Sequence, residues 1–81
     1  LIIDDSRSFR EELRLSLEAH GYAVLAAASG EDGLKLATRH SPDAIVVDGQ
    51  LPGLDGHSVI RRLRADPSLR GIPCVLLTGS E

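Results

Sequence analysis

The sequence predicts an α/β domain, a doubly wound parallel sheet sandwiched between helix layers, and three observations carry that prediction. Apolar strand-like segments alternate with amphipathic helical ones in the order strand, helix, strand, helix, strand, helix, strand; the connections are short and rich in turn residues; the strands are continuously apolar rather than alternating. Continuous apolar strands need cover on both faces, which crossover helices supply. Crossovers are right-handed, so helices reach both faces only if the chain reverses direction once. The expected reversal lies between the first and third strands, giving the order 2-1-3-4. Ligands bind at such a reversal, beyond the C-terminal ends of the strands.

The elements follow in turn. Leu1 to Ile3 reads as the tail of a buried strand, closed by the turn and cap chemistry of Asp4-Asp5-Ser6. Ser6 or Ser8 caps a first helix, Glu11 and Glu12 suit its positive N-terminal end, and Phe9, Leu13 and Leu17 form a stripe expected to face the core. Gly21 stops it. Tyr22 to Ala28 is the expected second strand, although its alanines are weak strand formers. Ser29-Gly30-Glu31-Asp32 resembles a capping box, and Leu34, Leu36 and Ala37 give the second helix its buried side despite the roughly 1 kcal/mol cost of Gly33.

Ala44-Ile45-Val46-Val47 is the clearest strand, β-branched and continuous, and it delivers Asp48 at its C-terminal end. A Gly- and Pro-rich loop runs from Gly49 to Gly56. Val59, Ile60 and Leu63 then mark a third helix that must stop before Pro67. Ile72 to Leu77 is the fourth strand, with Pro73 tolerated only near its start.

Composition narrows the function. With 81 residues there is room for a single core, and 42% apolar with 26% charged residues is ordinary for a folded globular chain. A net charge of −3 and only two aromatics, Phe9 and Tyr22, argue against nucleic acid or an anionic membrane as partner. No apolar run approaches the roughly twenty residues of a membrane span. The single cysteine, Cys74, fits a small buried hydrophobe in a reducing, cytoplasmic setting. The chain contains no methionine, so it reads as a segment of something longer.

The chemistry sits at the strand ends. Neighbouring parallel strands lie about 4.8 Å apart, so Asp4 and Asp5 after strand one and Asp48 after strand three must crowd one small region. A hard divalent cation resolves their repulsion, and Mg²⁺ suits a site of a few carboxylates, a backbone carbonyl and retained waters. One carboxylate can then act as nucleophile toward phosphorus, and Asp48, alone at its strand end beside Gly49, is the candidate. Thr78, followed by Gly79 and Ser80, offers a hydroxyl to a phosphoryl oxygen at the end of strand four, a contact that would shift the loop behind it.

Four motifs in this order and spacing resemble a receiver domain of bacterial two-component response regulators. They are Leu1-Ile2-Ile3-Asp4-Asp5-Ser6, Pro42-Asp43-Ala44-Ile45-Val46-Val47-Asp48, Leu51-Pro52-Gly53-Leu54-Asp55-Gly56 and Leu76-Leu77-Thr78-Gly79, and the likeness spans all 81 residues. The resemblance implies a flavodoxin-like sheet. It implies that Asp48 accepts a phosphoryl group from the phosphohistidine of a sensor histidine kinase or a histidine phosphotransfer protein. Asp4, Asp5, Asp48 and the backbone carbonyl of Gln50 would hold Mg²⁺, and the Thr78 hydroxyl would serve as the switch. The signal would pass to an output domain in the same chain or to a partner protein, and a homodimer is compatible with it. The same sheet order occurs in a chemotaxis receiver, so the rule placing ligands at the strand reversal draws partly on relatives.

A receiver continues through another helix, a fifth strand bearing a phosphoryl-pairing lysine, and a final helix, whereas this sequence ends at Glu81 and its only lysine, Lys35, lies in the second helix. Without that strand, strand four is expected to present an exposed apolar edge. The competing readings are a degenerate receiver that only binds other proteins and, from another class, a Mg²⁺-dependent phosphohydrolase, which would leave the Asp48 loop without a role. A nucleotide cradle is disfavoured because acidic groups stand where it needs glycines. His20, His40 and His57 read as solvated helix-end histidines, and Arg61, Arg62 and Arg64 as a solvated face. Gln50 and Ser80 flank the expected site and are candidates for tuning hydrolysis of an acyl phosphate.

Overall fold

The computed structural model describes residues 1–77. Four strands, β1 (Ile2–Ile3), β2 (Ala26–Ala27), β3 (Ile45–Asp48) and β4 (Cys74–Leu77), alternate with three helices, α1 (Arg7–Ala19), α2 (Gly30–His40) and α3 (Gly56–Ala65). All pairings are parallel, in the order β2-β1-β3-β4. The expected reversal between strands one and three is therefore present, and the doubly wound, flavodoxin-like arrangement holds.

Register places the strand ends. Ile3 lies opposite both Ala27 and Val47, so the residues after β1 and the last residue of β3 emerge side by side at the C-terminal edge. Alternation divides the side chains between two faces. Ile3, Ile45 and Val47 join Ala37, Val59 and Leu63 in the core beneath α2 and α3. On the other face, Ile2 and Val46 line a groove of about 710 Å³ with Leu17 of α1 and the Tyr22–Leu25 segment. Leu1, Pro42, Asp43 and Ala44, at or just before the N-terminal ends of β1 and β3, also line it, and none of Asp4, Asp5 and Asp48 does.

Local chemistry accounts for the helix boundaries. Ser6 caps α1, its hydroxyl oxygen accepting from the Phe9 N–H; Ser29 caps α2 through the Asp32 N–H; Asp55 caps α3 through the Ser58 N–H. α1 ends in a Schellman motif: the Tyr22 N–H donates to the Leu17 carbonyl and the Gly21 N–H to that of Glu18, with Gly21 at φ +91°. α3 stops at Ala65, before Pro67, as the sequence requires.

Several expectations are corrected. The second strand is two residues long instead of seven, its ladder with β1 taking in only Ala26 and Ala27, and Tyr22 is 64% exposed. The ladder of β4 starts at Cys74 rather than Ile72, after Pro73. Glu11 and Glu12 lie beyond the first turn of α1, which contains no acidic residue, so they do not serve its positive end. The Phe9, Leu13 and Leu17 stripe is only half covered, and α1 has no fully buried residue. Arg64 is more than a solvated cation: its Nη1 donates to the carbonyls of Arg70 (2.7 Å) and Ile72 (3.1 Å), tying the turn after α3 to the start of β4. Leu69, which no periodic pattern announces, is buried in that turn.

Candidate metal centre

β1 ends at Ile3, and the chain turns at once into α1, so the backbone of Asp4 and Asp5 is fixed by that junction. Asp4 Oδ1 accepts the Ser6 N–H at 2.8 Å, a local turn that hands the chain to its cap residue. Arg10, one turn into α1, donates Nη1–H to the Asp4 carbonyl at 2.9 Å. Sequence reasoning missed this contact. The available signal was that helix side chains lean toward the N-terminus, which brings a residue in the first full turn back over the strand end.

β3 ends at Asp48, whose Oδ1 accepts the Gln50 N–H at 3.0 Å, while the Gly49 N–H donates to the Leu77 carbonyl at 2.8 Å. The same i to i+2 device thus orients two of the three acids. Ligand oxygens of Asp4, Asp5 and Asp48 all lie within 4.8 Å of one another. Asp4 is 7% exposed, Asp5 is exposed and Asp48 lies between.

Electrostatics records the crowding. Burial, followed by the charges of Asp48 and Asp5, pushes the Asp4 carboxyl above the ordinary carboxylate range, against the opposing Ser6 N–H and the Arg10 guanidinium. The donor set is all oxygen and carries up to three negative charges. That combination fits a hard divalent cation of the Mg²⁺ type, and a cation there would relieve the repulsion that raises Asp4.

The structure brings together Asp4, Asp5 and Asp48 as the sequence predicted and sets Gln50 beside them through its N–H. Thr78 and Ser80 lie outside the described residues. His20 sits at the end of α1 with its Nδ1 2.9 Å from the Ser16 carbonyl, remote from the acids in keeping with its solvated reading.

A short parallel sheet in the order 2-1-3-4, with acids at the ends of its first and third strands, is a flavodoxin-like arrangement that gathers charged groups at the strand reversal where such sheets bind ligands. The chain belongs to the response regulator receiver domain family, whose pattern it matches over residues 1–81. It is 50% identical over 78 residues to the transcriptional regulatory protein AfsQ1 of Streptomyces coelicolor, covering 96% of this chain and 33% of that one. It is 40% identical over 81 residues to the protein PilH of Pseudomonas aeruginosa, covering all of this chain and 67% of that one. The chain thus spans one third of the first relative and two thirds of the second. Among solved structures, the N-terminal domain of a response regulator receiver protein from Methanoculleus marisnigri superposes with a TM-score of 0.94 at 32% identity, over 98% of this chain and 64% of that one. These relatives place the chain in two-component signalling. Among the described residues, no helix is long and apolar enough to cross a membrane.

Proposed function

We propose that this chain is a phosphoacceptor in a two-component relay, in which Asp48 takes a phosphoryl group from the phosphohistidine of a sensor kinase or phosphotransfer protein and passes the change to an output domain or partner. The observation that carries the reading is the convergence of three carboxylates from two strand ends within 4.8 Å. Asp4, Asp5, Asp48 and the Gln50 carbonyl would hold Mg²⁺, which when bound neutralises charge on the phosphoryl oxygens.

The chain's own residues supply the rest. Asp48 attacks phosphorus through one carboxylate oxygen; a P–O bond forms as the P–N bond breaks, the departing imidazole nitrogen keeps the electron pair, and Asp48 becomes a mixed carboxyl–phosphoryl anhydride. Its two oxygens are inequivalent beforehand, because Oδ1 already accepts the Gln50 N–H. Arg10 steadies the Asp4 backbone without occupying the carboxylates. The Thr78 hydroxyl would then bind a phosphoryl oxygen and move the loop behind it. Reducing, cytoplasmic surroundings suit this role.

The test is a beryllofluoride titration of the full chain with Mg²⁺, followed by NMR. Saturable shifts near Asp48 that vanish in Asp48→Asn are expected. A full chain that binds neither Mg²⁺ nor beryllofluoride would favour the degenerate, interaction-only reading.

A further inference from the structure

The loop between β3 and α3 carries the motif Leu51-Pro52-Gly53-Leu54-Asp55-Gly56, and the chemistry above uses none of its side chains. It is nevertheless held from three sides. Leu51 is 7% exposed and belongs to the core cluster, anchoring the loop immediately after Gln50. Gly56, the first residue of α3, lies against β3 itself: a Cβ there would overlap the Asp48 carbonyl oxygen and stand 2.8 Å from Gly49 Cα and 2.9 Å from the Asp48 carbonyl carbon. These are backbone atoms of the acceptor strand end and cannot swing aside. Gly30, the first residue of α2, lies against the loop's far side, where a Cβ would meet the Leu54 carbonyl oxygen and Val59 Cγ2, each at 2.7 Å.

Neither Gly30 nor Gly56 has a positive φ, so neither is required for backbone conformation. Close approach is what requires them. The loop is thus wedged between the start of α2 and the start of α3, and its path from Asp48 to Gln50 has little room to vary. α2 contributes no group to the acidic cluster, yet its first residue sets how near the loop can lie.

We propose that Gly30 and Gly56 are positioning residues for the metal centre: with Leu51 they hold the Asp48–Gln50 backbone where its carboxylate and carbonyl can share one cation with Asp4 and Asp5. This deepens the receiver reading and rests on it. A side chain at either glycine displaces the loop while leaving every carboxylate in the sequence, so the loss falls on cation affinity rather than on the acids themselves. Residues that orient metal ligands without touching the ion change affinity by about 10- to 100-fold when altered.

The experiment titrates Mg²⁺ alone into the full chain, followed by the backbone amide signals of residues 4, 5 and 48–50, for the wild type and for Gly30→Ala, Gly56→Ala and Leu51→Ala. Leu63→Ala, in the core under α3 but away from the loop, serves as the stability-matched control. Each of the three loop variants is expected to raise the apparent Mg²⁺ dissociation constant by about tenfold or more, with Leu63→Ala within about twofold of wild type. If Gly56→Ala does not fold, Gly30→Ala and Leu51→Ala carry the test, the latter introducing no overlap. Unchanged affinity in folded Gly30→Ala or Leu51→Ala overturns the proposal, as does an equal loss in Leu63→Ala. A wild type that does not bind Mg²⁺ overturns instead the reading beneath it.

Discussion

At the scale of single residues, Asp4 is the carboxyl whose surroundings oppose its charge. Its carboxyl is held above its ordinary range chiefly by burial and then by two neighbouring charges, so the folded chain keeps a proton that the unfolded chain releases. Folding stability from this group is therefore present below about pH 3.8 and is lost as pH rises through its raised folded value. Asp55 and Asp66 act in the opposite sense. Ser58 and Ser68 hydrogen bonds lower them, so their contributions are present above the usual carboxylate value and fade in acid. Urea titrations with a chelator present should show the Asp4 loss in wild type and not in Asp4→Asn, and Mg²⁺ should remove it in wild type. Asp48→Asn, which relieves part of the same repulsion, should gain on the order of 1 kcal/mol in the absence of divalent ions. A loss of stability in that variant would contradict the crowding argument.

At the scale of elements, close approach and backbone anchoring decide more than propensity does. Gly33, expected to weaken α2, is where that helix meets β1: a Cβ there would overlap the Ile3 side chain, with Cγ1 at 2.6 Å. Gly33→Ala gains about 1 kcal/mol of helix propensity but overpacks the core, so a net loss of about 1–2 kcal/mol is expected in chemical denaturation. Arg64 supports the α3–β4 turn through two carbonyls on an exposed surface. Arg64→Ala should lose about 1 kcal/mol, and Arg64→Lys most of that, since an ammonium does not reproduce the guanidinium's fork of donors. Hydrogen exchange across residues 69–74 reads the effect locally.

At the scale of the whole molecule, the sheet has one covered face and one half-covered face. α2 and α3 bury Ile3, Ile45 and Val47, whereas α1 has no fully buried residue and leaves the groove along Ile2 and Val46 open. Among the described residues β4 is the outer strand, and Val75, in register with Val46 on the half-covered face, is 54% exposed. If the acidic cluster takes up Mg²⁺ as proposed, the ion should raise the unfolding midpoint with the logarithm of its concentration above saturation, since only the folded chain brings the three carboxylates together.

Local sequence dictated the order of elements, the cap at Ser29, the glycine stop at Gly21, the end of α3 before Pro67 and the meeting of Asp4 and Asp5 with Asp48, and it narrowed the cap of α1 to Ser6 or Ser8, of which the fold uses Ser6. These were legible because apolar periodicity and cap chemistry act over a few residues, and because parallel pairing with right-handed crossovers leaves few ways to arrange four strands. Tertiary structure alone decided the length of β2, the burial of Leu69, the contacts of Arg10 and Arg64, and the reason for Gly30, Gly33 and Gly56. Each depends on a neighbour distant in sequence. A missing Cβ looks the same in a sequence whether it serves a turn, a flexible link or a close approach, and only packing tells them apart.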